Sequence, residues 1–294
     1  MIRDEYIKEY KNKVINESLE DAIEYKNSFL LNKKIYKFIY LNDIVKCESI
    51  KDINDCIYLK GNKSKIDSIR NKKIWVSSYA GFNDPFELSR IYINESKLTD
   101  KHYKKEVLQT AFDRIRDGLK ISCFTDDHLY NLPMWAHYTN NHKGLCLEFK
   151  IENPSYLYPV TYLNTKKLSA NTTIHNFISL MYKLDLGTLT EEENEELLKI
   201  SNLIINIFST KEKLWEYERE YRIFYPDEKN IQGGFLVDMK ELGLKLTGIY
   251  LGNKIEKIYE DELKIISKDI DVNIYKMYVD ELDEEFKLTY KDLL

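Results

Sequence analysis

Apolar and polar positions follow two rhythms along this chain, and the rhythms divide it into elements. Over residues 4–31, Tyr6, Tyr10, Val14, Leu19, Ile23 and Phe29 recur at roughly helical spacing among Lys and Glu, which predicts one long or two short amphipathic helices. Residues 35–40 read as a strand, Asn42-Asp43 as the cap of a short helix, and Gly61-Asn62 as a turn before a polar helix over 64–71. A strand over 73–78 follows and gives way to Asn83-Asp84-Pro85, where proline cannot donate to a ladder. Next come a charged helix over 100–116 stopped by Gly118, a strand over 120–124, and a short helix over 132–138 with Pro133 in its first turn.

The second half continues in the same way. Residues 145–150 form an apolar strand, and 156–162 a strand broken by Pro159. Residues 172–183 and 190–208 make a helical pair, the second opened by Thr190 with Glu193 three positions on, the spacing of a capping box. Residues 223–225 read as β-prone after the charged run 214–222, Gly233-Gly234 as a hairpin-like break before 235–237, and a strand over 246–251 ends at Gly252-Asn253. A helix over 255–268 and strands over 272–278 and 285–290 close the pattern. Strands interrupted by helices without regular βαβ alternation predict an α+β fold. The expected architecture is a mixed, mostly antiparallel sheet or sheets with inserted helices. Residues 1–32 form an N-terminal helical appendage, and 33–294 a single domain with a helical insertion around 172–209.

Composition adjusts this picture only slightly. A chain of 294 residues with 43% hydrophobic content can bury a substantial core. A net charge of −5 argues against holding nucleic acid mainly through a basic surface, while leaving room for a local basic groove. Four Cys (Cys47, Cys56, Cys123, Cys146) without a C-x-x-C read as reduced core thiols, and no apolar run reaches the ~20 residues of a membrane span. A cytoplasmic protein that does not enter a membrane is expected.

No nucleotide-cradling loop, nucleophile elbow or H-E-x-x-H is present, so any chemistry must come from residues scattered over several elements. The densest polar and aromatic stretch is 134–149, which carries Trp135, His137, Tyr138 and His142 beside Asn140-Asn141. Cys123, His137, His142 and Cys146 are zinc-ligand types, but both Cys alternate with large apolar neighbours, so core packing is favoured and no metal is expected. His137 and Tyr138 also fit a hydrogen-bonded core pair. Glu216, Glu218 and Glu220 alternate, so an extended segment would project all three from one face, a costly row of like charge unless a ligand or cations sit there. A solvated edge strand is the plainer alternative. Asn83-Asp84-Pro85-Phe86-Glu87 is good turn chemistry, although a turn has no need of Glu87.

Taken in order, Tyr36-Lys37-Phe38, the Asn83-to-Glu87 segment after a Trp-containing strand, Cys123-Phe124, Met134-Trp135-Ala136-His137-Tyr138 with His142-Lys143-Gly144, and Trp215 with Glu218, Glu220, Tyr221 and Arg222 resemble the prokaryotic family known as domain of unknown function 2971. The resemblance spans roughly 35–252. Where many members carry a basic or hydroxyl residue after the first strand's aromatic, this chain has Ile39, leaving Lys37 or Tyr40 as the polar candidates. An early strand with a polar anchor, a second strand ending in Ser77-Ser78 and a later Glu-x-Glu are in turn similar to ADP-ribosyltransferases that cleave NAD.

That similarity implies an NAD-utilising transferase, a toxin or phage-defence effector modifying nucleic acid or protein. Glu220 would stabilise the oxocarbenium-like ribose, Glu218 would orient the acceptor, and Tyr138 would stack on nicotinamide beside His137. Lys37, Tyr40, Ser77, Ser78, Asn83, Asp84, Trp135 and His142 would hold NAD or a related nucleotide. Two alternatives stand beside it. One is a metal-dependent nuclease with Asp84, Glu87, Glu148 and Glu220 around magnesium. The other is a non-catalytic module whose aromatic cleft (Trp75, Trp135, Trp215) recognises a base or a partner.

Overall fold

Proline and glycine punctuation, capping and apolar periodicity place most elements where the sequence predicts them. The computed structural model describes residues 3–43, 57–84, 88, 91–126, 130–164, 168–227, 229, 231–280 and 288–293. The amino-terminal periodicity resolves into α1 (Arg3–Asn16) and α2 (Leu19–Leu30), separated at Ser18, whose side chain caps α2. Then follow β1 (Lys34–Ile39), α3 (Ile57–Arg70), β2 (Lys73–Ser77), β3 (Ile91–Tyr92), α4 (Lys105–Asp117) and β4 (Leu119–Thr125). The middle holds α5 (Leu132–Tyr138), β5 (Leu145–Ile151), β6 (Leu157–Pro159), β7 (Thr161–Leu163), β8 (Leu168–Ser169), α6 (Asn171–Asp185) and α7 (Glu191–Phe208). The rest comprises β9 (Thr210–Glu212), β10 (Glu220–Pro226), β11 (Gly234–Asp238), β12 (Leu244–Leu251), α8 (Lys257–Ile270), β13 (Asn273–Val279) and β14 (Leu288–Asp292).

The fold is α+β. Its main sheet runs β11-β2-β4-β1-β5-β12-β13-β14, with β10 and then β6 on the other edge of β4. Every pairing in it is antiparallel except β12 with β13, which α8 joins by a crossover. Ile35, Leu147 and Phe149 pack with Ile66 and Ile69 of α3 and Leu263 and Ile266 of α8 in the largest core cluster. Ile121 of β4 and Phe224 of β10 instead join a second core with Leu108, Phe112, Ile174, Ile204 and Phe208 from α4, α6 and α7. Helices α1 and α2 lie against α7, where Tyr6, Tyr10 and Ala22 pack with Leu203 and Tyr10 donates to Asn202 Oδ1 at 3.1 Å.

Two local expectations are overturned by partners distant in sequence. Gly61-Asn62 is not a turn: α3 passes straight through it, because Asn62 is fixed by bonds to the Asn42 backbone and to the Tyr259 hydroxyl at 2.8 Å. Gly233-Gly234 does not fold β11 back on β10 as a hairpin; β11 pairs along its length with β2. The short helix expected after Asn42-Asp43 and the thiols Cys47 and Cys56 lie outside the described residues.

Candidate active site

The site arises from the way strands share β4. Strand β10 occupies one edge of β4 from Leu119 to Thr125. On the other edge β2 bridges only at Ser77 to Ile121, and β1 only at Tyr36 to Thr125. Since β1 and β2 meet the same edge at different points, they leave a fork between them. Lys37 reaches into the fork and donates to the Cys123 carbonyl at 3.1 Å, a side-chain substitute for a missing ladder bond. The result is a cavity of about 210 Å³. Tyr36, Phe38, Phe82, Phe124 and Trp215 give it aromatic walls, and Asn83, Asp84, Cys123, Thr125 and Met134 complete the rim and floor with the charged groups.

Those charged groups come from a break in the backbone. The segment 213–218 is a 3₁₀ turn, and Arg219 at φ 45° and ψ 49° then redirects the chain into β10. The expected single face of three glutamates is therefore not formed. Glu216 stays near the surface beside Lys213, while Glu218 and Glu220 turn inward with 4% and 3% exposure. Lys211 Nζ donates to both, at 2.6 Å to Glu218 Oε2 and 3.2 Å to Glu220 Oε2. Arg222, fully buried, grips Glu220 through Nε at 2.8 Å and Nη2 at 3.1 Å and donates Nη1 to the Phe208 carbonyl at 2.8 Å. Tyr138 from α5 donates its hydroxyl to Glu218 Oε1.

This arrangement separates two chemically identical side chains. Burial pushes the Glu218 carboxyl up, and the neighbouring Glu220 adds to the shift, against the opposing pull of Lys211. Burial also opposes ionisation of Glu220, but Arg222 and Lys211 overcome it and hold that carboxyl well below the usual range. Burial and the adjacent Glu218 raise Tyr138, which keeps its hydroxyl a donor. Burial lowers Lys37. Carboxylates driven apart in this way are the usual basis of paired acid and base roles.

Of the residues expected at the site, Glu218, Glu220, Tyr138, Lys37, Asn83 and Asp84 line this one cavity. The others stand elsewhere. His137 is exposed, its Nδ1 3.2 Å from the Tyr217 hydroxyl. Trp135 is fully buried behind the wall, edge-on to Phe38 and stacked on His142. Ser77 is spent on pairing in β2, the Ser78 amide bonds the Gly233 carbonyl, and Tyr40 is exposed near Lys65. The zinc-type residues are dispersed, with Cys146 in the core and Cys123 at the cavity. Among the described residues no three His, Cys, Asp or Glu side chains gather to hold a metal. Glu148 does not join Asp84 and Glu220 on the cavity wall: it accepts from Thr247, Tyr250, Tyr36 and Lys34. Glu87 lies outside the described residues. Trp75 is exposed on β2, so the three tryptophans do not form one cleft.

Sequence reasoning missed Lys211, in the short strand between α7 and the 3₁₀ turn. Its signal was indirect: two glutamates close to a core strand need a buried cation, and Arg222 alone satisfies only Glu220.

Fold and cavity together define an α+β protein with a buried two-carboxylate, two-cation centre. Residues 134–223 match the family model described as Protein of unknown function (DUF2971). The expected family resemblance thus holds over a narrower span than 35–252, one that supplies Met134, Tyr138, Lys211, Trp215, Glu218 and Glu220 to the cavity. No curated protein and no solved structure matches the chain. No helix among the described residues is long and apolar enough to cross a membrane.

Proposed function

We propose that the cavity takes the nicotinamide-ribosyl end of NAD or a related nucleotide and breaks its N-glycosidic bond, passing the ribosyl group to water or to an acceptor as ADP-ribosyltransferases do. The observation that carries this assignment is the pair Glu218 and Glu220, bridged by Lys211 inside aromatic walls, with one carboxyl pushed up and the other held ionised. The dimensions agree. A dry cavity of ~150 Å³ accepts a benzene ring, so about 210 Å³ has room for one aromatic ring and part of a sugar. The remainder of a dinucleotide would lie outside the mouth.

The roles follow from the contacts. Glu220, ionised and fixed by Arg222, stabilises positive charge developing on the ribose as the bond to nicotinamide breaks. Arg222, Lys211 and the Cys123 thiol already bond its oxygens, so a ribose hydroxyl approaching Glu220 would take the place of the weak thiol donor. Glu218, raised toward the pH range where a general base works, accepts the proton of the attacking hydroxyl, and Tyr138 fixes its orientation. Tyr36, Phe38, Phe82, Phe124 and Trp215 exclude water and offer faces to the ring.

The test is to incubate the purified protein with NAD, with and without a cell lysate as acceptor source, and to follow nicotinamide release and ligand-induced melting shifts. Release should fall by ~100-fold or more in Glu220→Gln. Because that change leaves Arg222 buried without its partner, Glu218→Gln and Tyr138→Phe are measured beside it. They should keep the NAD-induced melting shift while losing most turnover. Neither release nor a melting shift with NAD, in either condition, would rule the assignment out.

A further inference from the structure

A second concavity, of about 1150 Å³, lies on the far side of the amino-terminal helices, between α2 and the amino-terminal half of α7. Its composition is lopsided: six Glu and a single Lys line it. Glu17 is paired with Lys13, but among the described residues no ion pair engages Glu20, Glu24, Glu192, Glu195 or Glu196. Glu20 with Glu24, and Glu192 with Glu196, stand four apart on their helices, which places like charges side by side. Between these acidic rims runs an apolar floor of Leu19, Ile23, Leu31 and Leu198, with Leu31 45% and Leu198 52% exposed. Asn27 Oδ1, also on the floor, is a buried acceptor without a hydrogen-bond partner.

Each feature alone is ordinary for a surface, and the combination is specific. An apolar stripe flanked on both sides by uncompensated carboxylates complements a helix with leucine-like residues on one face and Lys or Arg along its flanks. We infer that this groove docks a basic amphipathic helix of a protein partner. Burial of Leu31 and Leu198 supplies the apolar contact, and the partner's cations relieve the like-charge pairs on both helices. The inference does not depend on the chemistry of the cavity at β4.

The test uses the full chain and a fluorescent synthetic peptide with Leu and Lys at amphipathic helical spacing, beside a scrambled peptide of the same composition. Anisotropy should show the amphipathic peptide binding at least tenfold tighter than the scramble. Its affinity should fall at least tenfold in a Glu24→Lys/Glu195→Lys/Glu196→Lys variant and in Leu198→Asp. Neither variant should melt below the parent, since the altered side chains face solvent. Equal binding of both peptides, or unchanged affinity in the variants, would overturn the inference. So would a concentration-dependent dimer in sedimentation that Leu198→Asp abolishes, because the occupant would then be a second copy of this chain.

Discussion

At the residue scale, backbone conformation rather than side-chain identity decides where the chemistry goes. Arg219 in the left-handed region breaks the alternation of Glu216, Glu218 and Glu220 and sends two of them inward. A run of three non-glycine residues in the same region, Asn140, Asn141 and His142 at φ 53°, 54° and 70°, closes the turn after α5. Asparagine tolerates this conformation, whereas a β-branched side chain does not. The next residue but one, Gly144, approaches so closely that a Cβ there would sit 2.1 Å from the Ile39 carbonyl. The turn is thus set by contact with β1, so the strain cannot relax by moving. Asn141 is exposed, which isolates the backbone effect. Asn141→Val should destabilise the protein by about 1–2 kcal/mol in urea titration, while Asn141→Gly stays within a few tenths. Equal stability of the Val variant would show that the left-handed turn is not imposed by the fold.

At the scale of elements, α5 is a seven-residue helix held mostly from outside. Asn131 caps it by accepting the Met134 amide at 3.3 Å and ties it to the 3₁₀ turn by donating to the Tyr217 carbonyl at 2.8 Å. One side chain therefore connects the element carrying Tyr138 to the element carrying Glu218. Asn131→Ala loses both bonds and should cost ~1 kcal/mol, seen as a lower melting temperature. Asn131→Asp keeps the cap acceptor and loses the donor, so it should spare most stability while impairing whatever turnover the cavity supports. A fully active Asp variant would show that the tether is dispensable. This helix, and the Thr190–Glu193 capping box of α7, were legible in sequence because caps and periodicity act within a few residues. So was the division of β6 from β7 near Pro159. What stayed hidden was decided across the fold: the pairing of β11 with β2, the continuity of α3 through Asn62, and the placing of Lys211 between two carboxylates. Six of the expected site residues share the cavity because strand ends and the Asn83-Asp84 turn converge there. Trp135, His137 and His142 were grouped with them by proximity in sequence to Tyr138, and Ser77, Ser78 and Tyr40 by the resemblance to ADP-ribosyltransferases; none of the six lines the cavity.

At the scale of the whole molecule, the amino-terminal helices are joined to the sheet by a buried cation. Lys26 of α2 is 1% exposed, donates to the carbonyls of Pro154 at 2.7 Å and Leu157 at 3.0 Å, and lies 4.4 Å from the centre of the Tyr158 ring. None of these contacts is with a carboxylate, so burial dominates and lowers its pKa to about 7. In the unfolded chain the same amine titrates near ~10.4. Between these values the unfolded state binds a proton that the native state releases, so stability rises with pH; the gain is complete above the unfolded value and is lost as pH falls through the native one. Lys11, lowered to about 8 by burial, acts in the same direction and must be cancelled out. Comparison with Lys26→Met does this, because Lys11 is common to both proteins. The unfolding free energy of the parent minus that of Lys26→Met should be flat below about pH 7 and climb above it, by up to ~1.4 kcal/mol per unit. Below pH 7 the Met variant should be the more stable of the two, since it buries no charge. A difference curve that stays flat to pH 10 would mean that the Lys26 ammonium is not desolvated in the folded protein.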